Sequence, residues 1–329
     1  MNAAARSKPD WTTQYDQLAG GVGLVDLEGR TQIEVAGADR ASFLHNLCTN
    51  EVRKLAVGAG CEAFLTNVQG KTLAHVFIFA TGQSLIIDTV AGQGETILKH
   101  LDHYLISERV TLADRSFEWS EQLLAGPGAD PLIKRLCAAG FPSTVLSHAA
   151  VDVAGQRAWL RRVDVTTSPG CFVSVRREDV QAIRAALVAA GAVECPAAAF
   201  EAARIERGFP LFGQDITDKN LPQEVGRDAS AISFVKGCYL GQETVARIDA
   251  LGHVNKLLVG LRFAGEIVPQ AGSELRAKDQ VIGQVTSASY SPRCASPLAL
   301  GYVRRGSHTV GSRLASAFGE AEVTELPLG

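Results

Sequence analysis

Three short apolar runs follow one another between residues 61 and 90: CEAFLTN (61–67), HVFIFA (75–80) and LIIDTV (85–90), with the turn segments VQGK and TGQS between them. Runs rich in β-branched and aromatic residues, punctuated by glycine and small polar residues, read as a meander of short strands. Turns this short join antiparallel neighbours, because a parallel return needs a long crossover. Helical stretches are interleaved with them. Residues 37–47 form one, led by Asp39 with Phe43, Leu44 and Leu47 on one face, and 94–104 and 178–190 are amphipathic at i, i+3 and i+4 spacing. Helices mixed with antiparallel strands place the chain in the α+β class rather than among doubly wound parallel sheets.

At 329 residues the chain exceeds what one core supports, so two or three domains are expected. The pattern becomes irregular over 114–158, where GPGADP, FPSTV and VAGQ interrupt it as at a crossing between subdomains. The alanine-rich stretch 182–203 reads as two helices broken at GAVECP. Beyond Asn255 the character changes to short strands such as LLVGLRF, QVIGQVTSA and LALGYV, which read as a small β-barrel. The expected division is 1–250 for the α+β region and 251–329 for the barrel.

A net charge of −3 argues against a continuous basic face, so direct nucleic-acid binding is not expected. The seven cysteines, Cys48, Cys61, Cys137, Cys171, Cys195, Cys238 and Cys294, contain no CxxC pair and signal neither a disulfide framework nor a structural metal. The N-terminal MNAAARSKPDW has no apolar core, and no run approaches the length of a membrane span. A cytoplasmic protein with no membrane association is the expectation.

The densest run of specific chemistry is KGCYLGQE (236–243). Cys238 lies two positions from the Lys236 amine, just before a helix start at GQETVARI. A free thiol near pKa ~8.5 is only about 3% thiolate at neutral pH, and a downward shift of ~1.5 units makes it about half thiolate. Lys236 and the helix dipole push that way and Glu243 opposes them. The competing reading makes Cys238 a small buried hydrophobe in a tight turn.

Other candidates carry two readings each. Asn67 and Lys71 flank the VQGK turn and are either ligand contacts or a turn asparagine with a solvated lysine. Arg204 and Glu206 sit on a helix end closed by Gly208, suited to bidentate anion recognition or to an ion pair capping the helix. Arg247 faces a cavity or pairs with Glu243 at i, i+4. His100 and His103 resemble a metal pair without a third ligand, and GQGET (92–96) lacks a complete phosphate-binding pattern.

KGCYLGQE resembles the KGC(Y/F)xGQE signature of the YgfZ-like folate-binding family, which includes mitochondrial iron-sulfur assembly relatives and proteins tied to tRNA modification. That family shares its fold with the glycine cleavage T-protein, a tetrahydrofolate-dependent aminomethyltransferase. GLVDLEGRTQIEVAGADRASFLHNLCTNEV (23–52), TNVQGKTLAHVFIF (66–79), LDHYLISERVTLAD (101–114) and RIERGFPLFGQDIT (204–217) resemble further family blocks in the same order, so the resemblance covers roughly 15–305.

The resemblance implies an aminomethyltransferase-like fold of two interwoven α+β subdomains and a C-terminal β-barrel. It further implies a central cavity for tetrahydrofolate or a derivative, bordered by the 66–79 hairpin. Cys238 and Lys236 become the working residues, and Asn67, Arg204, Gln242, Glu243 and Arg247 the cofactor-binding set. Two adjacent aspartates of the transferases correspond to Ala74 and His75, and their acidic GEDG-type segment is replaced by TSPGCFVSV (167–175). The expected function is therefore support of iron-sulfur enzyme assembly, repair or maintenance, with assembly factors or client iron-sulfur enzymes as partners. A folate-dependent one-carbon transferase and a non-catalytic adaptor are the alternatives.

Overall fold

A computed structural model describes residues 9–137 and 139–328; most of the MNAAARSKPDW stretch lies outside the described residues. The chain opens with α1 (Thr12–Gly20) and β1 (Gly23–Asp26), then leaves the sheet to which β1 belongs. It builds a second sheet from β2 (Thr31–Ala36), β3 (Gly60–Thr66), β4 (Thr72–Ala80), β5 (Ser84–Thr89) and β6 (Thr111–Asp114), with α2 (Arg40–His45) and α3 (Gly94–His103) between them. It then returns through β7 (Trp119–Ala125), α4 (Ala129–Cys137), β8 (His148–Val153), β9 (Gln156–Val163), β10 (Gly170–Arg176), α5 (Val180–Ala189) and β11 (Val193–Cys195). The first sheet has the order β11-β1-β7-β10-β9-β8 and the second β3-β4-β5-β2-β6, so the two are interwoven along the chain.

The expected helix at 37–47 is shorter, Arg40–His45: Gly37 at φ +110° lies outside helical geometry. The Asp39 carboxylate, at the N-cap position, accepts from the Arg109 backbone N–H at 2.9 Å and from Nε at 3.1 Å.

Side-chain alternation along β4 decides what lies between the sheets. Ala74, Val76, Ile78 and Ala80 enter the core beneath α2 and α3 with Leu44, Ile97 and Leu101. His75, Phe77 and Phe79 point the other way, toward Leu123 of β7 and Phe172 of β10. The opposite face of the first sheet is covered by Leu132 of α4 and Ile183 of α5. Each fully buried large apolar side chain contributes about 1.5–3 kcal/mol, so this alternation fixes the register.

After α6 (Ala197–Arg207), α7 (Asp228–Ala231) and α8 (Gln242–Leu251) come β12 (Lys256–Phe263), β13 (Glu274–Ala277), β14 (Gln280–Ser291), β15 (Ser296–Arg304), β16 (Arg313–Ser316) and β17 (Gly319–Thr324). These six strands close into a barrel. A register shift between Val285 and Ser287 lets the consecutive hydroxyls of Thr286 and Ser287 both donate to Asp215 Oδ1 at 2.6 Å. That contact, with Ser291 donating to Glu206, holds the barrel against α6.

Candidate functional site

The KGCYLGQE loop is anchored by its lysine. Lys236 is buried, and its Nζ donates to the carbonyls of His45, Cys48 and Asn50 at 2.5, 2.7 and 2.9 Å. All three N–H groups are thus engaged by the last residue of α2 and the segment that follows it, and burial lowers the pKa of the amine. Lys236, expected to favour the Cys238 thiolate through its charge, spends its N–H groups on backbone carbonyls and fastens the loop. Cys238 itself is exposed, whereas Cys48, Cys61, Cys171 and Cys195 are buried, so the reading of Cys238 as a buried hydrophobe also falls. Val235, immediately before the lysine, is 97% exposed, and Phe234 is exposed beside it.

Sequence reasoning missed His45. Its Nε2 lies 4.0 Å from where a Cβ on Gly237 would stand, and its Nδ1 is 3.0 Å from Glu51 Oε1. Burial and the Lys236 charge lower its pKa, favouring the neutral imidazole. It belongs to the block FLHNLCTN, where a histidine among apolar helix positions was the available signal.

The β3–β4 turn packs directly onto this loop. Gly241, at φ +81°, caps α8, and a Cβ there would lie 2.5 Å from the Asn67 carbonyl oxygen, so the close approach requires glycine. Thr66 Oγ1 donates to the Leu240 carbonyl at 2.6 Å, and the Leu240 N–H donates to Asn46 at 2.9 Å. Asn67 Oδ1 accepts from the backbone N–H groups of Gln69 and Lys71, the pattern of a turn asparagine, while Lys71 Nζ donates to Lys219 O at 2.8 Å.

Beneath the hairpin the space between the sheets is filled. His75 stacks on Phe64 at 5.0 Å and lies 5.6 Å from Phe209, while Phe77 stacks on Phe209 at 5.9 Å and meets Phe172 at 6.0 Å. His75 Nε2 is 2.7 Å from Glu62 Oε1, and Arg227 donates to both Glu62 oxygens at 2.8 and 2.5 Å. Burial alone would push the Glu62 carboxyl up, but the bonds from Arg227 and His75 outweigh it and hold the pKa at about 2. A gap of about 20 Å³ remains, bordered by Arg30, His75, Phe77, Asp88, Phe209 and Phe212. Further along the layer, Arg161 Nη1 donates to Asp88 at 2.6 Å and to Glu121 at 2.9 Å, and Arg30 donates to Asp88 at 2.8 Å. Burial and the neighbouring Asp88 carboxylate raise the Glu121 pKa.

The remaining expected contacts disperse. Arg204 is fully buried: Nε donates to Glu201 at 2.7 Å, and Nη1 donates to Asp215 at 2.8 Å and to the Phe209 carbonyl at 3.1 Å. It therefore ties α6 to the following loop and the barrel instead of presenting a free guanidinium to a ligand. Glu206, also fully buried, accepts from Tyr15 and Ser291. Gln242 is half-buried, Glu243 and Arg247 are exposed on α8, and among the described residues no ion pair joins the last two. Neither Asn67, Arg204, Gln242, Glu243 nor Arg247 borders the gap beneath the hairpin. His100 and His103 gather no third ligand among the described residues.

The sequence matches the model of the GCVT N-terminal domain over residues 4–234 and that of the glycine cleavage T-protein C-terminal barrel domain over 256–328. It is 28% identical over 309 residues to a putative chloroplastic transferase of Arabidopsis thaliana, covering 90% of this chain and 68% of the relative. It is also 28% identical over 309 residues to the aminomethyltransferase of Symbiobacterium thermophilum, covering 89% and 81%. The crystal structure of the glycine cleavage system aminomethyltransferase T from Bartonella henselae superposes with a TM-score of 0.86 at 18% identity, over 96% of this chain and 88% of that one. That likeness establishes the fold.

Proposed function

Because the chain belongs to the glycine cleavage T-protein family, we propose that it is a folate-binding protein that maintains iron-sulfur enzymes through Cys238 and has left glycine-cleavage chemistry. The observation that carries this reading is the exposed thiol on a loop fastened by Lys236; the resemblance adds an interior with Ala74 and His75 set against the transferase acids. Of the two replacing residues, Ala74 faces the helix-covered core, and His75 is held by Glu62. The nearest carboxylate, Glu62, has both oxygens engaged by Arg227, so it offers no free acceptor for a proton from an amine.

When bound, a reduced folate supplies a one-carbon carrier with an anionic tail. A pterin ring does not fit in about 20 Å³ beneath the hairpin, since ligand pockets run to roughly 300 Å³ or more. What this chain's own residues do at the hairpin is hold the loop: Lys236, Gly241 and Thr66 fix the backbone on either side of Cys238, leaving its side chain in solvent.

Cys238→Ser is the test. In a strain lacking the gene, the variant should fold and melt with the wild type yet fail to restore iron-sulfur enzyme activities. Full complementation would remove the thiol from the mechanism and favour the adaptor. The aminomethyltransferases among the relatives support a second reading, a folate-dependent one-carbon transferase. Turnover on the order of 1 per second with aminomethylated lipoyl carrier and tetrahydrofolate would establish it.

A further inference from the structure

The layer between the sheets is closed beneath the hairpin but open at its other end, where a cavity of about 630 Å³ lies between β2, β5, β9 and β10. Its walls carry aromatic rings already faced by guanidinium groups. Arg157 lies over Trp159 at 5.5 Å, Arg176 over Trp119 at 4.5 Å, and Arg161 over Phe79 at 4.9 Å. These surfaces favour a flat ring and an anion together.

The charges are unequally matched. Arg115 pairs with Glu34 at 3.0 Å and Glu118 at 2.7 Å, and Arg176 must share that same Glu118. Arg157 lines the cavity, exposed, and pairs with no carboxylate among the described residues. At the cavity floor Arg161 is only 4% exposed, and although its Nη groups reach Asp88, Glu121 and Gln32, its enclosed Nε–H has no acceptor. Buried donors are ordinarily satisfied, and a bound acceptor would relieve this one.

We infer that this inter-sheet cavity is a binding site for a planar heteroaromatic ligand bearing carboxylates. The ring stacks on the Trp159 indole, a carboxylate meets Arg157, and a ring or carboxylate acceptor meets Arg161 Nε. A reduced folate has both parts, so the inference rests on the folate reading above and moves the ligand from the hairpin to the opposite end of the layer.

The test is calorimetric titration of the full chain with 5-formyltetrahydrofolate, a stable reduced folate. Wild type, Arg157→Ala, Trp159→Leu and His75→Ala are compared after their melting curves are recorded. The expected result is one saturable site, weakened about tenfold or more by Arg157→Ala and by Trp159→Leu and unchanged by His75→Ala. Arg157 is exposed, so its variant decides the matter even if Trp159→Leu fails to fold. Binding unaffected by Arg157→Ala but lost in His75→Ala overturns the cavity assignment and leaves the folate reading standing. No saturable binding in the wild type overturns the folate reading and the cavity assignment with it.

Discussion

The two ends of the inter-sheet layer are built from the same strands and end in opposite states. β4 places His75 and Phe77 at the hairpin end and Phe79 at the other. β10 places Phe172 against Phe77, and four residues on, Arg176 over Trp119. At the hairpin end rings meet rings, and Glu62, His75 and Arg227 complete one another, leaving about 20 Å³. At the far end Arg115 and Arg176 share Glu118, Arg157 pairs with no carboxylate among the described residues, and about 630 Å³ stays open. The difference teaches that closing this interior took more than adding bulk. Each charge left inside needed a partner of its own, because an unpaired buried charge costs several kcal/mol.

Removing such a partner should have the largest effect. Arg227→Met leaves Glu62 enclosed with His75 alone, and urea unfolding should show a loss of about 3–5 kcal/mol. The pH dependence follows from the Glu62 carboxyl, whose pKa falls from 4.5 to about 2 on folding. For an acid depressed in this way, the stabilisation is complete above about 4.5 and is lost as the pH falls toward about 2. Wild-type stability should decline across that window, and Arg227→Met should decline less. Equal acid sensitivity in both proteins would mean that the hairpin end is held closed by its rings alone.

A smaller loss, roughly 2–3 kcal/mol, is expected for Lys236→Met, which strips three buried carbonyls of their shared donor. The rate of Cys238 alkylation against pH should keep the same midpoint, since the amine is engaged elsewhere. A midpoint that rises in the variant would restore Lys236 as an activator of the thiol and tie the closed end to the chemistry of the loop.

The secondary elements and the barrel were legible because they rest on local periodicity: the meander at 61–90 and the strands beyond Asn255 appear where alternation and turn residues place them. The resemblance sets Ala74 and His75 against the paired acids of the transferases. That the two residues face opposite sides of the sheet follows from strand alternation and was available too. What stayed hidden were partners distant in sequence. Glu62 and Arg227 are 165 positions apart, and Lys236 finds its acceptors 186 to 191 positions upstream. Arg204 carried two readings in the sequence, and Asp215 decided between them only once the chain had folded. The open cavity gave no motif at all, since Arg157 and Trp159 of β9 and Trp119 of β7 share one sheet and meet Glu34 and Phe79 of the other only in the folded chain.

The smallest expected effect sharpens the comparison most. Arg157→Ala removes an exposed guanidinium whose only described contact is the face of Trp159 at 5.5 Å. An exposed cation–π pair contributes about 0.5–1 kcal/mol, and the freed backbone and side-chain entropy offsets part of that. Chemical unfolding should therefore place the variant within about 0.5 kcal/mol of wild type. At the closed end every polar side chain supports the fold, so its removal must register as lost stability. At the open end Arg157 makes only that ring contact inside the protein, so a loss in ligand affinity should come with little loss in stability. A destabilisation comparable to that of Arg227→Met would show that Arg157 is structural after all, and that the two ends differ in volume but not in purpose.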